Sequence, residues 1–183
     1  LAERWLLTFS GGDTRKNAHG VLEGFAHLAP GVRRGIQVVL VGCEPADYRA
    51  RLAAAADRLG ISGQCRILGF VPHADLPALL AGSRGLLMPS RYEGFGLPIL
   101  DAFACDVPVL TSNVSSMPEV AGNAALYCDP NDSASIATGI EQLLDTATAA
   151  NLVQKGRERL ALFNWPRTAQ AMCMVYERAL SRQ

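Results

Sequence analysis

Short apolar runs separated by polar, glycine-containing turns recur along this chain, and most are followed by a segment with helical spacing. Trp5 to Phe9 is the first run and predicts a strand. After the polar turn Ser10 to Asn17, Val21, Leu22, Phe25 and Leu28 recur at helical spacing and predict a helix running to about Leu28. Ile36 to Val41, interrupted only by Gln37, reads as a second strand, followed by a helix over Asp47–Leu59. Cys65–Leu68 is a third strand and His73–Leu80 a short helix. The run Leu86, Leu87, Met88, introduced by Gly85, is too short for a helix and suits a buried strand. Pro98–Cys105 continues as a helix, Val107–Leu110 as a strand, Pro118-Glu119 as the start of a short helix, and Ala125–Cys128 as the last strand. Asp132–Leu144 is amphipathic, with Ile136, Ile140, Leu143 and Leu144 on one face and Asp132 or Ser133 near its start. Asn151–Leu162 and Arg167–Leu180 close the chain, with Trp165 between them expected as a packing anchor.

Strands alternating with helices imply right-handed crossovers and a mostly parallel sheet covered on both faces. The fold class is therefore α/β, Rossmann-like. A length of 183 residues fits a single domain over 1–183, with closing helices from about 151, and no repeat or linker divides it.

Composition narrows the function classes. Seventeen basic and seventeen acidic residues balance, so no general attraction to nucleic acid is indicated. No stretch approaches the roughly 20 apolar residues that span a bilayer. The expectation is a cytoplasmic domain, with a peripheral place at the inner membrane face left open. Leu1 rather than methionine at the start suggests a piece of a longer protein. Five scattered cysteines without a C-x-x-C pair argue against a disulfide framework or structural zinc, and most are expected to be small core residues. His19, His27 and His73 are equally dispersed, and no metal site is predicted.

The chemistry concentrates between Pro89 and Glu119. There a strand runs into Glu93-Gly94-Phe95-Gly96, then Leu97 and Pro98 open a helix. Glycines let the backbone approach a ligand, and proline suits a first helical turn. A strand, a glycine loop and a helix N-terminus make a place to hold an anion. Glu93 and Asp101 bracket it, which suits a diphosphate flanked by sugar hydroxyls. The residues alone leave a second reading open, in which Glu93 is a solvated loop acid and Asp101 an acid favoured by the helix dipole. A second glycine turn, Gly11-Gly12-Asp13-Thr14-Arg15-Lys16-Asn17, carries two cations but fits neither the P-loop nor the dinucleotide pattern.

The stretch EGFGLPILDAFACDVPVLTSNVSSMPEV resembles the signature of the family-4 retaining glycosyltransferases, whose fold is called GT-B. Glu93 matches its first acid and Asp101 its second, where glutamate is usual. The resemblance implies that Glu93 contacts the donor sugar and Asp101 the ribose, with the Gly96-Leu97 backbone at the diphosphate. The first turn resembles the family's GG-x-x-x-RKN loop, one residue shorter, and implies that Lys16 contacts the diphosphate. Many relatives carry an arginine directly after the first glycine; here Gly12 stands there, so a second cation would have to come from Arg15. Gly69-Phe70-Val71 resembles the turn bordering the base, making Phe70 and Val71 base-pocket candidates, with a core-facing turn the equal alternative. Phe163-Asn164-Trp165 resembles the turn before the family's closing helix.

The resemblance covers about Trp5 to Leu180, the C-terminal, donor-binding half of a GT-B enzyme. It implies a hexosyl transfer from a nucleoside-diphosphate sugar, best guessed as GDP-mannose, to a glycan or lipid-linked acceptor in polysaccharide biosynthesis. The anomeric configuration is kept and no metal or other cofactor is needed. Glu93 and Lys16 are the expected catalytic residues. Gly11, Gly12, Arg15, Phe70, Val71, Gly94, Phe95, Gly96, Leu97 and Asp101 complete the donor site. The N-terminal acceptor half would be the partner, so this chain alone is expected to bind donor without turnover. A glycan phosphorylase, a nucleotide-sugar epimerase relative and a non-catalytic nucleotide-binding module are the competing readings. No segment suggests the cofactor-binding lysine that a phosphorylase would need.

Overall fold

The computed structural model describes residues 4–181. Six strands form one sheet: β1 (Arg4–Phe9), β2 (Ile36–Val41), β3 (Cys65–Ile67), β4 (Gly85–Met88), β5 (Val109–Ser112) and β6 (Ala125–Cys128). Their order is β3-β2-β1-β4-β5-β6, and every pairing is parallel. The helices are α1 (Ala18–His27), α2 (Pro30–Arg33), α3 (Ala46–Arg58), α4 (Leu76–Ala81), α5 (Leu97–Ala104), α6 (Met117–Ala121), α7 (Ser133–Leu144), α8 (Thr146–Leu160) and α9 (Trp165–Leu180).

Alternation along the strands sends neighbouring side chains into two separate cores. Leu6, Val38, Leu40, Leu87 and Leu110 meet α1, α3 and α7 on one face. Leu7, Val39, Val41, Leu86, Met88 and Val109 meet α4, α5 and α6 on the other. A sheet buried on both faces reads as near-continuous apolar runs, which is why β4 is unbroken in sequence and β2 is interrupted only by Gln37. Helix α8 serves both faces, since Leu152 joins the first core and Leu160 packs on the second.

Several boundaries differ from expectation for local reasons. β5 begins at Val109 rather than Val107, because Pro108 has no N–H to give the ladder and only its carbonyl is used, by the Leu86 N–H. α4 begins at Leu76 rather than His73. α8 begins at Thr146 rather than Asn151, since Asp145 accepts the Thr148 N–H and caps it early. α9 starts at Trp165, capped by the Asn164 side chain, which accepts the Arg167 N–H.

Trp165 anchors no packing among the described residues: it is 78% exposed, and no residue of α9 is buried. Its helix carries Met172, Met174, Val175, Tyr176 and Leu180 exposed as well. Local sequence marks an aromatic as apolar but not which surface covers it. Among the cysteines, Cys43, Cys65 and Cys128 are core residues, and burial pushes their thiols up to about 11, about 11 and about 12. They therefore stay protonated and unreactive near neutrality. No helix among the described residues is long and apolar enough to cross a membrane.

Candidate functional site

Strand β1 lies between β2 and β4, so the chain reverses its direction of growth across the β1–β4 pair. Open parallel sheets bind ligands beyond the strand C-termini at such a switch point. The loops that leave β1 and β4, residues 10–17 and 89–96, flank it.

In the first loop Gly11 and Gly12 take φ of 58° and 67°. Gly12 lies so close to the next loop that a Cβ there would stand 1.8 Å from the Glu44 carbonyl oxygen. The chain then makes a single 3-10 turn over Thr14–Lys16. Asn17 follows in the left-handed region at φ 58°, with its side chain buried. Its Nδ2 donates to the carbonyls of Pro89 at 3.0 Å and Pro130 at 2.7 Å. One amide thus ties together the loops after β1, β4 and β6. Asn17 was not singled out from the sequence, although the Arg-Lys-Asn triplet contained it and asparagine tolerates the left-handed region. Asn17→Ala leaves two proline carbonyls short of a buried donor and forces alanine into that region, an expected cost of about 3 kcal/mol. Asn17→Gly should recover about 1 kcal/mol of that by relieving the backbone. Urea unfolding of the two variants checks both, and equal losses would remove the backbone part of the account.

The second loop is fixed by serines. Ser112 Oγ donates to the Ser90 carbonyl at 2.5 Å, and Ser90 Oγ donates to Glu93 Oε1 at 3.0 Å. Ser115 holds the Glu93 backbone from both sides, donating to its carbonyl at 2.7 Å and accepting its N–H at 3.3 Å. Ser116 Oγ lies 3.0 Å from the Glu93 carbonyl and 2.8 Å from that of Phe95, so its single hydrogen is shared between them. Ser115 and Ser116 lie between β5 and α6, a stretch assigned no role from sequence. Gly96 closes the loop at φ 99° and makes no side-chain cap for α5. Pro98 has no N–H and Ile99 donates to the Gly96 carbonyl at 3.0 Å, so at the start of α5 the N–H of exposed Leu97 is left to a ligand or to water. A Cβ on Gly94 would meet nothing within 4 Å, so this face of the loop is open.

Lys16 and Glu93 come together across the switch point, Nζ to Oε1 at 3.6 Å, both side chains largely shielded from water. That separation gives attraction without hydrogen-bond contact, so the three ammonium donors are not spent on Glu93. Lys16 also lines the first turn, its Cε 3.7 Å from where a Cβ on Gly11 would stand.

Arg15 is directed elsewhere. Its guanidinium holds Asp13 at 2.7 Å, and its carbonyl accepts the Arg91 N–H at 2.7 Å. The hydrogen bond from Arg15 keeps the Asp13 carboxyl below its ordinary pKa. Asp101 sits one turn into α5. Although it is an exposed residue, partial desolvation of its carboxyl raises its pKa above the ordinary value, with no ion-pair partner among the described residues. Phe70 and Val71 follow β3 and part company: Phe70 is 76% exposed, while Val71 packs on the second core. A turn with both residues facing the core is thereby excluded. The preceding Gly69 seats the Glu44–Arg49 ion pair, with a Cβ there only 2.4 Å from Glu44 Oε1. No group of three or more potential metal-ligating side chains gathers among the described residues.

An all-parallel sheet with an uncapped helix N-terminus and a lysine at its switch point defines a Rossmann-like domain suited to an anionic ligand. The family model described as glycosyl transferases group 1 matches residues 3–159, and the chain belongs to that family. O-antigen chain mannosyltransferase B of Escherichia coli is 42% identical over 150 residues, covering 78% of this chain and 39% of that protein. The MMP alpha-(1->4)-mannosyltransferase of Mycolicibacterium hassiacum is 32% identical over 172 residues, covering 88% and 41%. Sucrose-phosphate synthase of Thermosynechococcus elongatus superimposes with a TM-score of 0.85 at 28% identity, covering 99% of this chain and 46% of that one. Anabaena HepE, solved with UDP-glucose, shares the fold at TM-score 0.83 and 22% identity, covering 95% and 48%. The chain spans less than half the length of these relatives.

Proposed function

We propose that this chain is the donor-binding half of a retaining glycosyltransferase that takes a nucleoside-diphosphate sugar, GDP-mannose as the leading candidate. The observation that carries the reading is the approach of Lys16 to Glu93 beside the uncapped N-terminus of α5. The difficult part of such a transfer is the negative charge that builds on the diphosphate as its bond to the sugar breaks. Preorganised N–H groups and a cation stabilise that charge without reorganising. The Gly94–Leu97 backbone and Lys16 supply them, so no metal is required by this arrangement. Glu93, held by Ser90, orients a sugar hydroxyl, and Asp101 accepts from the ribose. Phe70 gives the base an exposed ring to lie against. The acceptor hydroxyl bonds to the sugar carbon as the diphosphate leaves, and its proton passes to a departing phosphate oxygen.

Mannose is favoured because the two sequence relatives above are mannosyltransferases. The acceptor, a glycan or lipid-linked sugar, would be held by a further half of the protein. The coverage of the relatives supports that half, and the unburied apolar side chains of α9 offer it a contact surface. Calorimetric titration with GDP, UDP and ADP, then GDP-mannose and UDP-glucose, tests the reading. Saturable guanine-selective binding is expected; selective uridine binding would overturn the mannose donor, and Glu93→Ala should weaken the sugar nucleotide more than the free diphosphate.

A further inference from the structure

The loop that carries the diphosphate contacts is held at one further point that the reaction does not use. Phe95, 43% exposed, projects from it and meets Phe163, from the corner between α8 and α9. The ring centroids lie 6.0 Å apart at 87°, an edge-to-face pair. The guanidinium of Arg159 lies over the Phe163 ring at 5.3 Å from its centroid, within cation–π range. The same guanidinium donates through Nε to the Val120 carbonyl at 2.9 Å and through Nη2 to the Glu119 carbonyl. Those are late carbonyls of α6, where a cation is favoured by the helix dipole. The other end of α6 begins with Ser116, whose hydroxyl holds the Glu93 and Phe95 carbonyls. The contacts close a ring: Phe95 to Phe163, to Arg159, to α6, to Ser116, and back to Phe95. A cleft of about 360 Å³ runs between them, so the loop is clamped by these contacts rather than by a filled core.

We propose that Phe163 and Arg159 are positioning residues for the diphosphate loop, setting the direction of the Gly94–Leu97 N–H groups from the α8–α9 corner. Neither residue touches the ligand; they act through Phe95 and through α6. The proposal rests on the diphosphate reading above for its consequence, but the clamp itself does not. An exposed aromatic in a loop otherwise costs solubility and ordering entropy without return. Here Phe95 finds a partner more than sixty residues away in sequence, at the chain segment that leads into α9. The position of that segment and the geometry of the loop are thereby tied.

The test compares Phe163→Ala and Phe163→Tyr with the unmodified chain in two measurements. Amide hydrogen exchange without ligand should show Glu93 and Ile99, whose N–H groups donate to Ser115 Oγ and to the Gly96 carbonyl at either end of the loop, exchanging about ten-fold faster in Phe163→Ala, with β4 unchanged and Phe163→Tyr close to the unmodified chain. Calorimetry should show the nucleoside diphosphate binding about three- to ten-fold more weakly to Phe163→Ala, while the corresponding nucleoside, which lacks phosphates, is unaffected. Should Phe163→Ala fail to fold, Phe163→Leu keeps much of the apolar volume and loses the ring. Unchanged exchange at Glu93 and Ile99 overturns the clamp. Equal weakening of nucleoside and diphosphate overturns the positioning role in favour of a general structural one. Absence of diphosphate binding by the unmodified chain overturns the donor reading, while the exchange measurement still decides the clamp.

Discussion

Gly12→Ala is expected to lower the melting temperature by about 6–12 °C, the equivalent of about 3 kcal/mol in a domain of this size. The added Cβ would stand 1.8 Å from the Glu44 carbonyl oxygen, well inside any tolerable contact. That carbonyl belongs to a loop with little freedom to yield. Gly42 N–H donates to Gly69 at 3.0 Å, Cys43 N–H to Leu68 at 2.9 Å, and Glu44 N–H to Gly42 at 2.8 Å. Alanine must also hold φ near 67°, which costs about 1–2 kcal/mol for a residue with a Cβ. Relief of the overlap by backbone movement adds about 1–3 kcal/mol. Gly63→Ala is the control, because a Cβ there meets nothing within 4 Å and φ is not positive; its effect should stay within about 0.5 kcal/mol. Thermal melts that place the two variants together would show that the contact between the loops after β1 and β2 is looser than described. The same substitution should also disturb the Lys16 turn, so surviving protein would bind diphosphate poorly.

Lys16→Met should weaken binding of the preferred nucleoside diphosphate by about 10- to 100-fold, from loss of charge-assisted hydrogen bonds worth about 1.5–3 kcal/mol. Methionine keeps most of the stem volume, so the change is mainly in charge. The nucleoside without phosphates should bind as before, which separates lost phosphate contact from a collapsed site. With a further, acceptor-holding half of the protein restored, the transfer rate should fall further than the affinity for the intact sugar nucleotide, by about 10²–10³-fold, because the leaving group gains charge between the bound donor and the transition state. Lys16→Arg keeps the charge but spreads it over a planar fork, and intermediate recovery is expected. The neighbouring Arg15 does not replace Lys16 in this account, since its guanidinium is bound to Asp13 at 2.7 Å. A diphosphate affinity unchanged by Lys16→Met would remove Lys16 from the site.

Much of this protein is readable without coordinates. The alternation of apolar runs with helical spacing determines the α/β class, because a strand buried on both faces must be apolar throughout and its crossover must be amphipathic. The Glu93–Asp101 stretch announces a glycine loop running into a helix N-terminus through the residue types its backbone needs. The family resemblance in that stretch agrees with the family match over residues 3–159. Sequence also placed the loops after β1, β3 and β4 at one edge, since parallel strands end on the same side.

Only the tertiary structure decided which of those loop residues meet. Lys16 and Glu93 lie 77 positions apart, and their 3.6 Å approach follows from β4 adding beside β1 rather than beyond β3. Nothing local in the sequence specifies that neighbour. Arg15 and Lys16 are adjacent cations that residue type alone does not separate, yet a two-residue contact with Asp13 takes Arg15 out of the pair. Asn17, Ser115 and Ser116 look like ordinary loop residues until their long-range hydrogen bonds are seen. Trp165 and Phe163 show the same limit for apolar groups: both invite burial, but only packing decides that Phe163 finds Phe95 while Trp165 stays in solvent. Periodicity and turn chemistry act between near neighbours, and so they determine elements; contacts across the sheet depend on strand order, which is settled by the packing of the whole chain.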